Sequence, residues 1–391
     1  MKNMRSKLGR RNFVQNEQSK IQYLTGLDWA LKSASTKYAT HGYHPYASRY
    51  IPQIPHYLIS VFSKKHDLIL DNFLGSGTTL VESKILGRHA IGLDVNPLAC
   101  LIARVKTTNI QKCDLEEICQ FCLSLDKDIQ SLKYNDKHNT SILVGNIPHP
   151  NILKWFNQSI ISELLLLKNR IDSIKKKKTR EFLLVAFSSI LRTVSDATSG
   201  FGNLMLNLQP PPRIGAYQKF CRVVTSMVEG MKQYNQTSTH SNVKILNSDS
   251  RNLNFLKDQT IDFICTHPPY MASVPYAEYQ RLSLWWLGFD QSALEKKLIG
   301  GRRSRKDTPC RFLSDMHLVL VEMKRVLAKR KYCCIVIGNP IYKGKTWHLN
   351  EILKKDSLKV GFALIKEIRR RKYRLTMGNI KEEYVLILKN E

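Results

Sequence analysis

Short apolar runs alternate with helical patterns at both ends of the chain. Residues 67–71 and 90–94 have the pattern of buried strands, and a glycine-containing turn and a helical pattern at 78–86 separate them. Strand, turn, helix and strand in this order form a βαβ unit, which implies a parallel sheet. Further strand patterns occur at 243–246, 260–265, 332–337, 373–377 and 384–388, with helical patterns at 316–327 and 357–367. The sequence therefore predicts an α/β fold around a seven-stranded sheet.

The middle of the chain, residues 110–240, has a different pattern that is mostly helical. A structureless loop of this length would be unusual in a compact domain, but this segment has helical periodicity of its own. We predict that 110–240 is an inserted helical lobe. It divides one α/β domain made of 41–109 and 241–391. Residues 1–40 are polar and basic, and we predict that they form an N-terminal arm.

The charge balance of the chain is strongly basic. Lysine and arginine number 61 against 32 aspartate and glutamate residues, a formal net charge of +29. A global excess of this size repels itself, and a polyphosphate partner is its commonest explanation, so nucleic acid fits best. Within the loop at 300–306 we expect four side chains to contact a phosphate backbone: Arg302, Arg303, Arg305 and Lys306.

Membrane, secretory and metal-binding classes find no support in the sequence. No apolar run approaches the roughly 18–20 residues that a membrane span requires, and residues 1–20 lack the apolar stretch of a signal peptide. Nine cysteines do not indicate a disulfide framework. Cys119 and Cys122 form a single CxxC pair without a second pair to complete a zinc site. We expect a cytoplasmic protein that contacts no membrane and binds no metal.

The turn after the first strand has the composition of a ligand-binding turn. It contains Asp71, Phe73, Gly75, Gly77 and Thr78. It lacks the lysine of a phosphate-binding P-loop and the third glycine of the dinucleotide fingerprint, which argues against ATP and NAD. Two glycines allow the backbone to approach a ligand closely.

Acidic residues also follow the second and third strands, at Asp94 and Asp249. A carboxylate at the end of the second strand can accept hydrogen bonds from both ribose hydroxyls of an adenosine, and one after the third strand can bind an adenine amino group. The alternative is that the glycines only make a turn and the acids cap helices. An acid after each of three successive strands favours an adenosine-type cofactor.

The fourth strand is followed by His267, Pro268, Pro269 and Tyr270, at the same predicted edge of the sheet. Phe-x-Gly-x-Gly-Thr-Thr at 73–79 and Pro-Pro-Tyr at 268–270 resemble motifs I and IV of the DNA amino-methyltransferases. The loop around Tyr46, with prolines on both sides, resembles their motif X. The segments 271–288 and 361–384 resemble members from bacterial restriction–modification systems. The resemblance covers about 40–109 and 241–391. It implies that 41–109 and 241–391 form the catalytic domain, and that the lobe 110–240 is a candidate for target recognition or DNA clamping.

This resemblance implies a Rossmann-like methyltransferase domain that depends on S-adenosylmethionine and modifies a specific site in double-stranded DNA. A cognate restriction endonuclease is an implied partner. The implied acceptor is the exocyclic amine of a base flipped out of the duplex, N4 of cytosine first and N6 of adenine second. The implied cofactor-binding residues are Tyr46, Asp71, Phe73, Gly75, Gly77, Thr78, Asp94 and Asp249. The implied catalytic residues are His267, Pro268, Pro269 and Tyr270.

The chemistry of the amine explains the Pro-Pro-Tyr turn. An exocyclic amine is a poor nucleophile because its lone pair is delocalised into the ring, and hydrogen bonds accepted from it redirect that lone pair. The Pro268 carbonyl is one candidate acceptor, and the Tyr270 ring is a candidate for stacking on the flipped base. The resembled family usually has Asp, Asn or Ser where this chain has His267, with Ser typical of N4-cytosine enzymes. A neutral imidazole can accept a hydrogen bond and a protonated one cannot. Alternatively, His267 is only a spacer.

Two other functions remain open at this point. RNA guanine-N2 methyltransferases also use Pro-Pro-Tyr turns, although this sequence lacks a segment that resembles their appended RNA-binding modules. The other alternative is a DNA-binding protein that keeps the fold but has lost catalysis through the change at His267.

Overall fold

A computed structural model describes residues 16–135, 147–198, 204–211, 214–271, 275–300, 307–371, 380 and 382–391. The strands are β1 (Leu68–Asp71), β2 (His89–Asp94), β3 (Val243–Asn247), β4 (Ile261–Thr266), β5 (Leu327–Gly338), β6 (Ile341–Tyr342), β7 (Lys345–Thr346), β8 (Phe362–Arg371) and β9 (Glu382–Asn390). Among the described residues, β6 and β7 pair with each other, and the other seven strands form one sheet.

The seven-stranded sheet has the order β3-β2-β1-β4-β5-β9-β8. The first five strands in this order pair in parallel, whereas β9 is antiparallel to both β5 and β8. The strand order reverses between β1 and β4, because β2 and β3 lie on one side of β1 and β5 lies beyond β4. Ligands of open α/β sheets bind at the carboxyl ends of the strands next to such a reversal. The predicted seven-stranded α/β sheet is confirmed.

Helices cover the sheet on both faces. They are α1 (Glu17–Thr25), α2 (Gln53–Phe62), α3 (Thr78–Ile85), α4 (Pro97–Thr107), α5 (Lys112–Asn135), α6 (Gln158–Asp172), α7 (Lys177–Val194), α8 (Ala216–Thr237), α9 (Tyr276–Tyr279), α10 (Arg281–Trp286), α11 (Gln291–Lys297), α12 (Thr308–Val326) and α13 (Leu349–Val360), with a short 3₁₀ helix at Pro150–Lys154. Within the described residues no helix is both long enough and apolar enough to cross a bilayer.

Alternate residues of the central strands face the two helical layers. Ile69 and Phe263 belong to the hydrophobic cluster that includes α2, α3 and α4, whereas Leu70 and Ile264 belong to the cluster formed with α12 and α13. This alternation is the two-residue period of a β-strand that is buried on both faces. Buried side chains of α5 to α8 belong to the first of these clusters. The helices of the segment 110–240 therefore share a core with the sheet, and its division as a lobe stays a prediction.

One predicted element near the C-terminus is wrong. The helical pattern at 357–367 predicted a helix, but α13 ends at Val360 and β8 begins at Phe362. Gly361 lies between them with a φ of 98°, a left-handed conformation that favours glycine and ends a helix. β8 then pairs with β9 along its length, and this pairing decides the structure of the segment. The strand predicted at 373–377 lies outside the described residues.

Candidate active site

A cavity lies at the carboxyl ends of β1, β2 and β4, where the strand order reverses. It encloses about 770 Å³ of empty space, counting its open mouth. Four segments line it: the loop 46–50, the turn 73–78, residues 94–96 after β2 and residues 249–250 after β3. The remaining wall is formed by His267, Pro269, Tyr276 and residues 297–299. Both sequence motifs therefore contribute residues to the lining of one cavity.

The two glycines of the turn have different structural roles. Gly75 and Gly77 have positive φ angles of 47° and 78°. A Cβ added to Gly75 would lie 3.5 Å from Cε1 of Tyr46 in the cavity wall, whereas one added to Gly77 would lie only 2.7 Å from the Cβ of Ala103 on α4. Gly75 thus borders the cavity, but Gly77 is required for packing of the turn against α4. Phe73 and Thr78 line the cavity with Gly75.

Asp71, predicted to bind the cofactor, lies beneath the turn and is not part of the cavity lining. Its side chain is 1% exposed and accepts hydrogen bonds from the Phe73 backbone N–H at 3.1 Å and from the Thr266 hydroxyl at 3.0 Å. Burial raises the pKa of Asp71 to about 6. These contacts join the turn after β1 to the end of β4, so Asp71 holds the two motifs in register.

Asp94 ends β2 and presents a half-buried carboxylate to the cavity. One oxygen accepts from the Gly75 backbone N–H at 3.0 Å and the other from the Asn96 backbone N–H at 2.9 Å. Burial nevertheless raises the pKa of Asp94 to about 6. Each carboxylate oxygen can accept more than one hydrogen bond, so Asp94 can still receive two ligand hydroxyls.

Asp249 lies across the same cavity, after β3. Its carboxylate forms an ion pair with Arg251 at 2.5 Å, and Arg251 also pairs with Asp315 of α12 at 2.8 Å. Burial opposes ionisation of Asp249, but the hydrogen bonds from Arg251 outweigh it, so the pKa of Asp249 lies below its ordinary value. Asp249 therefore stays an anionic acceptor to lower pH than Asp94.

The aromatic loop before α2 closes the opposite side of the cavity. Tyr46 and Tyr50 are buried and line it. Tyr50 stacks on His267 with ring centroids 5.0 Å apart and an interplanar angle of 22°, and its hydroxyl is hydrogen-bonded to Thr79 of the glycine turn. Through Tyr50 the loop thus bridges the glycine turn and the Pro-Pro-Tyr segment. Tyr46 is a predicted site residue, whereas Tyr50 was not predicted.

The residues after β4 divide between the cavity and the interior. His267 and Pro269 line the cavity, whereas Pro268 is buried and Tyr270 is only 2% exposed. The Tyr270 ring meets His267 edge to face, and its hydroxyl lies 2.9 Å from His267 Nε2 and donates to Glu383. In this arrangement the Tyr270 ring is an interior contact of His267. Its stacking on a substrate base stays a prediction.

Eight of the predicted site residues line one cavity: Tyr46, Phe73, Gly75, Thr78, Asp94, Asp249, His267 and Pro269. Arg302, Arg303, Arg305 and Lys306 lie outside the described residues. Sequence reasoning missed Tyr50, Asn96 and Tyr276. The aromatic run at 43–50 contained a signal for Tyr50, but the segment 297–299, which also lines the cavity, had none.

Comparison with known proteins was consistent with these motifs. The N6/N4 methyltransferase family described as DNA methylase matches residues 11–105, which include the aromatic loop, the glycine turn and Asp94. The type II methyltransferase M.MjaII of Methanocaldococcus jannaschii is 26% identical, over 88% of this chain and 79% of the relative. The type II methyltransferase M.MvaI of Kocuria varians is 28% identical, over 70% of this chain and 64% of the relative.

Among solved structures, a SAM-dependent methyltransferase from Methanosarcina mazei is 12% identical, over 85% of this chain and 96% of that chain, with a TM-score of 0.35. The assignment of the fold rests on this chain's own strand order. The family match spans the glycine turn, and the similarity to two type II methyltransferases extends over most of the chain. The chain is therefore similar to DNA amino-methyltransferases of the restriction–modification type.

Proposed function

We propose that the protein transfers a methyl group from S-adenosylmethionine to the exocyclic amine of a flipped base in double-stranded DNA. The observation that carries this proposal is the shared cavity, in which His267 and Pro269 face the same space as Gly75, Asp94 and Asp249. An adenosine-binding half and an amine-binding half must adjoin for methyl transfer, because catalysis here depends on positioning.

The residues of the cavity fit S-adenosylmethionine. Asp94 offers carboxylate oxygens for ribose hydroxyls, and Asp249 offers a second anionic acceptor for the adenine amino group. Tyr46, Phe73 and Ile299 supply the apolar surface that a purine requires. When bound, the cofactor supplies an electrophilic sulfonium methyl group. The chain itself binds the adenosine and orients the amine.

His267 is the candidate acceptor for the target amine, together with the carbonyl of Pro268. His267 is held by the stacked ring of Tyr50 and faces the cavity. A neutral imidazole is an uncharged acceptor, like the serine that is typical of N4-cytosine enzymes. We therefore place N4 of cytosine first and N6 of adenine second as the acceptor.

Double-stranded DNA is the proposed substrate because of the charge of +29, and a base inside a duplex cannot reach a cavity at a sheet edge without flipping. Since the relatives are type II methyltransferases, we also propose that a cognate restriction endonuclease acts on the same DNA sequence.

The experiment is methylation of double-stranded DNA with methyl-labelled cofactor, digestion to nucleosides and mass spectrometry. We expect N4-methylcytosine. N6-methyladenine would select the second acceptor, N2-methylguanine in an RNA arm would replace DNA by RNA, and DNA binding without label would indicate a non-catalytic relative. Asp94→Ala should abolish labelling. Asp258→Ala is the matched control, because this aspartate pairs with Arg325 on the surface, away from the cavity, and labelling should persist.

A further inference from the structure

A chain of four side chains runs from the end of the sheet to His267. Arg370 on β8 forms an ion pair with Glu383 on β9. The Tyr270 hydroxyl donates a hydrogen bond to Glu383, and the Tyr270 oxygen lies 2.9 Å from His267 Nε2. Arg370, Glu383 and Tyr270 are 3%, 1% and 2% exposed. Arg370 also donates to the backbone carbonyl of Trp29 at 3.1 Å. The chain is therefore shielded from water and anchored at its far end.

The direction of the hydrogen bonds along this chain follows from which of its groups can donate. A carboxylate beside a guanidinium only accepts hydrogen bonds, so the single proton of the Tyr270 hydroxyl is directed to Glu383. Burial, and then the charge of Glu383, raise the pKa of Tyr270 well above its ordinary value, so that this proton stays on the hydroxyl. In its contact with His267 the Tyr270 oxygen is then the acceptor, which requires a hydrogen on Nε2.

We propose that Arg370 and Glu383 are positioning residues that act through Tyr270 to hold His267 in its Nε2–H tautomer, so that Nδ1 is its acceptor nitrogen. A neutral imidazole carries one N–H, and placing it on Nε2 leaves the lone pair on Nδ1. Tyr50 stacks on the same ring and restrains its plane. The consequence for catalysis rests on the proposed function, in which His267 accepts a hydrogen bond from the target amine. The tautomer itself does not depend on it.

Nitrogen-15 NMR of the protein labelled at histidine measures the tautomer without DNA or cofactor. The spectra are recorded at pH 8, with the His267 signals assigned by their loss in His267→Asn. In the wild type we expect the proton on Nε2. In Glu383→Gln the amide can donate to the Tyr270 oxygen, which turns the tyrosine proton towards His267 Nε2 and shifts the imidazole towards Nδ1–H.

Two further variants keep the test decisive. Tyr270→Phe cuts the chain while leaving the Arg370–Glu383 pair in place, so the preference for Nε2–H should weaken even if Glu383→Gln fails to fold. Glu382→Gln is the matched control, because Glu382 neighbours Glu383 on β9 but pairs with Arg369 at the surface. It should leave the tautomer unchanged. A wild-type Nδ1–H tautomer, or an unchanged tautomer in both Glu383→Gln and Tyr270→Phe, would overturn the proposal.

Single-turnover methylation then tests the consequence for catalysis. Glu383→Gln should slow the step by about two- to tenfold, the net contribution of one hydrogen bond, while the affinity for S-adenosylhomocysteine stays unchanged. If the wild type shows the Nε2–H tautomer but never methylates DNA, the proposed function fails and the tautomer assignment stands. If methylation proceeds and Glu383→Gln changes the tautomer without changing the rate, the positioning role in catalysis is refuted.

Discussion

Asp94 offers a direct test of the cofactor site because its protonation falls in an accessible pH range. Burial raises its pKa to about 6, although the backbone N–H groups of Gly75 and Asn96 both donate to it. If the ionised carboxylate accepts the ribose hydroxyls, binding requires the deprotonated form. Affinity for the cofactor should therefore be constant above about pH 7 and fall as the pH drops through 6.

The size of the effect follows from this pKa. With a pKa of about 6, roughly one Asp94 side chain in eleven is ionised at pH 5, so the apparent Kd should be about tenfold weaker at pH 5 than at pH 7. This corresponds to about 1.4 kcal/mol of binding free energy. In Asp94→Asn the side chain is neutral throughout, so the affinity should be weak at pH 7 and independent of pH.

Calorimetric titration with S-adenosylhomocysteine between pH 5 and 7 measures this, in a range below that in which an α-amino group titrates, near 7.7–8.0. Asp71→Asn is the control, because burial also raises the pKa of Asp71 to about 6 but its carboxyl lies outside the cavity lining. That variant should keep the acid limb. A limb that survives in Asp94→Asn and disappears in Asp71→Asn would refute the assignment of ribose binding to Asp94.

The remaining predictions concern the turn and the charge. Gly77→Ala should lower the free energy of unfolding by about 2–5 kcal/mol, from the left-handed backbone and the clash with Ala103, whereas Gly75→Ala should cost about 1–2 kcal/mol and weaken binding of S-adenosylhomocysteine. Urea unfolding and calorimetry compare the two, and equal stability losses would contradict this division. Replacing Arg302, Arg303 and Arg305 with glutamine should flatten the plot of log K for DNA against log salt by up to about three units, at about 0.9 per contact. An unchanged slope would mean that these arginines do not contact DNA.

Most strands of the central sheet could be predicted because each is a short apolar run between turn residues. β1 and β4 are buried on both faces along most of their length, which makes their sequences mostly apolar. β8 carries charged residues at several positions, and the helical spacing of its apolar residues continued that of α13. Its structure is decided by pairing with β9, which a local pattern does not contain. The sequence signal for the end of α13 before β8 is Gly361.

The sequence predicted which motifs form the site, but not which residues of each motif face the cavity. Asp71 and Asp94 both end a strand, yet one lies under the turn and the other in the cavity, and Gly75 and Gly77 differ in the same way. The spacing of a motif places a residue near a turn, whereas packing against α4 and β4 decides whether that residue faces the cavity or the interior. The partner of Tyr270 is more remote still in sequence, because Glu383 follows it by 113 residues and lies on β9, which β5 separates from β4. If Glu383 sets the proton of His267, the chemistry of the unusual residue before Pro-Pro-Tyr is determined by an acid that no motif around it contains.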